Sequence, residues 1–277
     1  MKPLDIHLLG TGGGRFAMIT QRRRTAGIRL VHGDTHVHID PGPGALVYSN
    51  WARLSPQALD GVVVTHCHPD HYTDAEVLIE AMSHGTRDRH GVLAAPRSVL
   101  RGNDDCDPSI SNYHQGLVGS ISLLSPGDIF NVEDLKCEAV KAWHSDPDSI
   151  GLRLEAPDLG CIGYTSDTGY DPALVESYRG LRLLIACTMW PRGRQLNIHL
   201  NTDGALRLME GARPGCVVLT HLGMRMLNAD PEAEAAYLEE STGIPTVAAR
   251  DGMRVTLSDR VEVHGPRKRN EPRLIDA

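Results

Sequence analysis

The stretch 65-THCHPDHYTDAE-76 puts His66, His68, Asp70 and His71 within six positions, straight after the apolar run Val62-Val63-Val64. An extended segment sends residues i and i+2 to the same side, so His66 and His68 converge on one point. Pro69 then bends the chain, and Asp70 and His71 face a neighbouring point. Two pairs of strong donors aimed at adjacent places predict two cations. An isolated histidine is ordinarily structural or superficial, and His7, His32, His84, His90, His114 and His264 are read that way. The strand 36-HVHID-40 also carries H-x-H but lacks the downstream D-H. Period-two alternation reads His36 and His38 as one polar strand face.

Four side chains do not complete two sites, because a catalytic ion usually takes about three protein ligands plus water. Further donors are expected where the cluster sits, just past apolar strands. Three residues meet that condition: His144 ends KCEAVKAWH, Asp167 follows CIGYTS, and His221 follows CVVLT. Imidazole with carboxylate suits Zn²⁺, with Mn²⁺ or Fe²⁺ as alternatives. Two ions roughly 3.5–4 Å apart can share a hydroxide and clamp attacking and leaving oxygens, so hydrolysis is the expected reaction class.

The rest of the chain sets the frame. Its 277 residues are 41% hydrophobic and 23% charged, enough to bury a substantial core. The net charge of −7 offers no global attraction to nucleic acid or anionic membrane. Six cysteines are spread without a C-x-x-C pair and read as buried thiols in a reducing compartment. The start, MKPLDIHLLG, has Asp5 and His7 where a secretory signal needs an apolar run, and no stretch approaches the roughly 18 apolar residues of a membrane span. A cytoplasmic chain without membrane contact is expected, with a homodimer left open.

Strands are predicted at 4–9, 28–31, 35–39, 62–65, 136–143, 161–165 and 216–220. Gly33-Asp34 should close a hairpin, and Gly10–Gly14 a turn where the backbone needs close approach. Thr73-Asp74-Ala75-Glu76 reads as a capping box opening a helix that ends near Gly85. A second helix is expected over 203–210, and a strand–Asp-Gly–strand unit over 247–257. Residues 85–128 look least regular and are candidates for a lid, a substrate arm or a dimer surface. Strands in both halves with helices among them predict a layered α/β domain over 1–264, followed by a loose charged tail, 265–277.

With the cluster and its three distant partners in this order, the sequence resembles the metallo-β-lactamase-fold hydrolase superfamily, over nearly its whole length. The resemblance implies a four-layer αββα sandwich with the metals at one edge of the sheets. It implies that His66, His68 and His144 hold one ion, that Asp70, His71 and His221 hold the other, and that Asp167 bridges. It also matches Asp40, in IDPG, to an early aspartate that supports the site.

The stretch 197-NIHLNTDGALRL-208 and the early GTGGGR are similar to the ribonuclease Z branch. That likeness implies that His199 protonates the leaving oxygen of a phosphodiester, small-molecule or nucleic-acid, with Asp70 as its catalytic companion. The basic tRNA-gripping arm of that branch has no identifiable counterpart. The run 22-RRR-24, with Arg15 and Arg29 near it, is the one basic stretch able to meet a phosphate. The rival expectation is hydrolysis of a carbonyl substrate (a lactone, thioester or β-lactam), and a third is a non-catalytic metal-binding protein.

Overall fold

The computed structural model describes residues 2–194 and 197–266. The expected tail, 265–277, lies outside the described residues from 267 onward. Alternation governs the first strands. In β1 (Leu4–Leu8) Leu4, Ile6 and Leu8 are fully buried while the residues between them are not. Next come β2 (Ile28–His32) and β3 (Thr35–Ile39), joined through Gly33 at φ +61° as the hairpin reading expects. Then follow β4 (Gly61–Val63), β5 (His90–Pro96) and β6 (Val118–Leu124). The second half supplies β7 (Ile129–Val132), β8 (Leu135–Lys141), β9 (Ile150–Ala156) and β10 (Gly160–Tyr164). It continues with β11 (Leu183–Trp190), β12 (Leu200–Asn201), β13 (Val217–Thr220), β14 (Thr246–Ala248), β15 (Met253–Leu257) and β16 (Val261–His264).

These make two sheets. One runs β16-β15-β1-β2-β3-β4-β5-β6; the other runs β14-β13-β11-β10-β9-β8-β7, with β12 beside β11. The helices are α1 (Gly14–Thr20), α2 (Ala45–Trp51), α3 (Pro69–Tyr72), α4 (Ala75–Met82), α5 (Arg97–Arg101) and α6 (Asn112–Gln115), then α7 (Ala173–Ser177), α8 (Thr202–Ala212), α9 (Met224–Asn228) and α10 (Pro231–Thr242). Three apolar clusters separate four layers. Leu4, Ile6, Leu30, Leu152, Ile162 and Ile185 fill the space between the sheets. Val62, Val64, Leu93, Leu78 and Ile79 join the first sheet to α4. Leu184, Leu219, Leu208 and Leu238 join the second to α8 and α10. Each buried Leu, Ile or Val contributes about 1.5–3 kcal/mol by leaving water, so this layering is where the chain's stability resides. The αββα expectation therefore holds.

Several local expectations are corrected. Thr73 does not cap α4. It closes α3, Asp74 sits at the N-cap of α4 without a side-chain cap bond, and the Asp74 carboxylate instead accepts from Leu46 N at 3.0 Å. Residues 85–128 are not irregular: β5 and β6 extend the first sheet, because parallel pairing beyond β4 gives their backbone groups partners. The 247–257 unit is not a hairpin, since β14 pairs in one sheet and β15 in the other. His38 is fully buried, its Nε2 bonded to Ala26 O at 2.9 Å, so β3 has no polar face there. Arg29 is fully buried beside His36 and Ser55 O and is not available to a phosphate.

Candidate metal centre

One edge of the paired sheets gathers the predicted residues. The 66–71 loop leaves β4, and Pro69 begins α3 at its first position, where the missing N–H costs nothing. His144 follows β8, Asp167 follows β10, His221 follows β13, and His199 immediately precedes β12. One donor atom each from His66, His68 and His144 lie within 4.8 Å of one another, as do those of Asp70, His71 and His221. His66, His71 and Asp167 form a third such group between them, and His144, Asp167 and His199 a fourth. All eight side chains named from sequence are brought together.

The second atoms of these side chains are held from behind. Asp40 takes Thr65 N on one oxygen at 2.8 Å, and Thr65 Oγ1, Tyr164 OH and His71 Nδ1 on the other at 2.8, 2.7 and 2.9 Å. The His71 Nδ1–H is thereby spent on Asp40, which turns Nε2 inward. His144 Nδ1 donates to Ile198 O at 2.8 Å, with the same result. Such outer contacts fix ring orientation and tautomer. Asp40, Ser166 and His221 all adopt positive φ, at 52°, 52° and 54°. Each costs about 1–3 kcal/mol, and such strain collects where geometry serves function.

The glycine run takes part in a way the sequence only half signalled. Gly14 N–H donates to Asp70 Oδ2 at 2.7 Å. A Cβ built on Gly13 would stand 2.1 Å from His221 Nδ1, so no larger residue fits against that ring. Close approach was the expected reason for these glycines; that they seat two donors was not legible. Tyr164 and Thr65, which hold Asp40, carried no signal beyond lying on a strand end.

Burial and three carboxylates set the charge states in the pocket. Burial works against a charged His71, but Asp40, Asp70 and Asp167 outweigh it and lift the imidazole to about 10. Asp70 and Asp167 are held below the usual carboxylate range by the neighbouring imidazoles, against burial. His66, fully buried among other histidines, is pushed far down. Burial also takes His199 down to about 4, although Asp167 Oδ2 lies 3.5 Å from its Nδ1 and pulls the other way.

The donor set fits divalent cations. His68 Nδ1 lies 3.1 Å from His66 Nε2 and 3.0 Å from His144 Nε2, and His71 Nε2 lies 3.1 Å from His221 Nε2. One proton can bridge one such pair, whereas a cation accepts all three lone pairs of a trio. Asp167 Oδ1 and His221 Nδ1, 3.2 Å apart, are buried without a hydrogen bond. Buried polar atoms left this way cost free energy unless something else satisfies them.

Comparisons with known proteins agree with this fold. The profile described as "Beta-lactamase superfamily domain" matches residues 35–222. An uncharacterized protein of Methanocaldococcus jannaschii is 38% identical over 256 residues, 92% of this chain and 95% of that one. Ribonuclease Z of Thermococcus kodakarensis is 35% identical over 159 residues, 57% of this chain but 46% of that protein. Among solved structures, the metallo-β-lactamase-fold protein YhfI of Bacillus subtilis superposes with TM-score 0.73 at 19% identity, covering 92% of this chain and all of that one.

Proposed function

The chain belongs to the β-lactamase superfamily, near its ribonuclease Z branch, and from that premise we propose that it is a two-metal phosphodiesterase of the cytoplasm. His66, His68 and His144 would hold one ion, Asp70, His71 and His221 the other, with Asp167 between them. When bound, two divalent ions (zinc first, manganese or iron as alternatives) supply Lewis acidity to the phosphoryl oxygens and make water nucleophilic at neutral pH. Asp70 keeps its carboxylate ionised through His71 and His221, and the Gly14 N–H fixes its direction. Six free cysteines fit a reducing compartment, and none of the described helices is long and apolar enough to cross a membrane.

The observation that carries the phosphodiester reading is the position of His199. It stands beside His144 and Asp167 at the edge of the donor cluster without belonging to either three-residue ion set. An alkoxide is a poor leaving group, and a donor held there can protonate it. Asp167, whose Oδ2 lies 3.5 Å from His199 Nδ1, favours the protonated imidazole that this role needs.

The test uses two leaving groups. His199→Ala should lower turnover of a dinucleoside phosphate by about 10²–10⁴-fold. Turnover of bis-p-nitrophenyl phosphate, whose phenolate leaves unaided, should fall far less, with metal content unchanged. Equal losses on both would remove the proton-donor role. Fast lactone or cephalosporin turnover, indifferent to His199, would move the chain to carbonyl chemistry.

A further inference from the structure

Two carboxylates outside the donor cluster tie together the chain segments that carry it, one on each side. Asp146 follows His144 by two residues and is 4% exposed. Its Oδ2 accepts from Cys67 N, the amide between His66 and His68, at 3.0 Å, and from Ser98 Oγ at 2.6 Å. Its Oδ1 accepts from Asp148 N at 3.0 Å and from Asn103 Nδ2 at 3.4 Å. One side chain therefore pins the His144 segment against the His66–His68 segment and anchors both on α5.

Asp251, half-buried, makes the corresponding contacts beside the other trio. Its Oδ1 accepts from Thr11 N at 2.9 Å and Thr11 Oγ1 at 2.6 Å, and its Oδ2 from Arg24 N at 3.0 Å. Thr11 O in turn accepts from Leu222 N at 2.8 Å, and Gly13 N donates to Leu222 O at 3.3 Å. The run held this way is the one whose Gly14 N–H meets Asp70 and whose Gly13 lies against the His221 ring. Neither Asp146 nor Asp251 is a member of the four donor groups.

Every hydrogen-bond partner of both carboxylates is a donor. An asparagine of the same shape would keep one acceptor oxygen and turn an NH₂ group toward an N–H or O–H. The contact is then lost, a donor is stranded, and the joined segments can part. We infer that Asp146 and Asp251 are positioning residues, each serving one ion. Asp146 serves the trio of His66, His68 and His144; Asp251 serves that of Asp70, His71 and His221. Contacts behind the donors govern metal affinity because they set where the donors stand before an ion arrives. The inference rests on the two-ion reading and adds to it a division of labour between two remote side chains.

The test titrates zinc, against a competing chelator, into the metal-stripped full chain. Imidazole nitrogen resonances of His68, His144, His71 and His221 report which trio fills. Asp146→Asn should weaken the first ion by about 10–100-fold and leave the second nearly unchanged, and Asp251→Asn should do the reverse. A general loss of stability would weaken both ions together, so a structural role does not produce this crossed pattern. Ser98→Ala and Thr11→Val each remove one donor and leave the carboxylates in place. They should repeat the same two selective losses at smaller size, which keeps the test open where an Asn variant does not fold. Loss of both ions alike, loss of the wrong ion, or affinities matching the unaltered chain overturns the inference. An unaltered chain that retains a single zinc ion overturns the two-ion reading itself, and the inference with it.

Discussion

At the scale of single residues, the account turns on atoms that touch the donors from outside. Adding one methyl at Gly13 would force the His221 ring aside. Gly13→Ala should therefore weaken binding of the second ion by about 10–100-fold, as loss of an outer contact does elsewhere, while the trio of His66, His68 and His144 keeps its ion. Competitive chelator titration reads both affinities; equal weakening of both, or of neither, would contradict this role. His38 supplies a separate test, of stability. Burial, then Arg29, hold it down to about 3 from an ordinary 6.5. Between those values the unfolded chain binds the proton and the folded chain does not, so stability is present above about 6.5 and is lost as pH falls toward 3. The loss approaches 1.4 kcal/mol per pH unit at most. Urea midpoints between pH 4 and 7 should decline less steeply in His38→Asn, and an identical acid limb would refute the assignment.

Elements explain how distant residues reach one edge. Each donor follows an apolar strand, so a strand fixed by its layer delivers the next few residues to the same rim. That rule was readable in the sequence for Asp167 and His221, whose strands are short and mostly apolar, and for His144 because its strand alternates buried Leu135, Cys137 and Ala139 with the polar Lys136 and Glu138. It failed for 85–128, where β5 and β6 carry too few strong β-formers to be seen locally and exist because β4 offers them a pairing edge. It failed again at Thr73, where a capping pattern was present but the carboxylate of Asp74 was taken by a neighbouring helix. The element carrying His199 is set by Asn201, whose side chain accepts from Gly204 N at 2.8 Å and caps α8. Asn201→Ala should cost about 0.5–2 kcal/mol of stability, measured by denaturant unfolding. It should also lower dinucleoside turnover more than p-nitrophenyl turnover, because His199 loses its anchor; equal effects would detach the cap from the site.

For the whole molecule, two sheets packed face to face leave one shared edge at which loops from both halves meet. The layered class followed from strands in both halves, and the resemblance supplied the four-layer order. The buried fate of Arg29 was hidden, since a charged residue in a strand gives no sign of which face it takes. Anomalous diffraction at the absorption edge of the bound metal tests the central claim most directly. The account predicts two peaks per chain, one among His66, His68 and His144, the other among Asp70, His71 and His221, with Asp167 reaching both. A single peak, or peaks away from these side chains in fully loaded crystals, would contradict it.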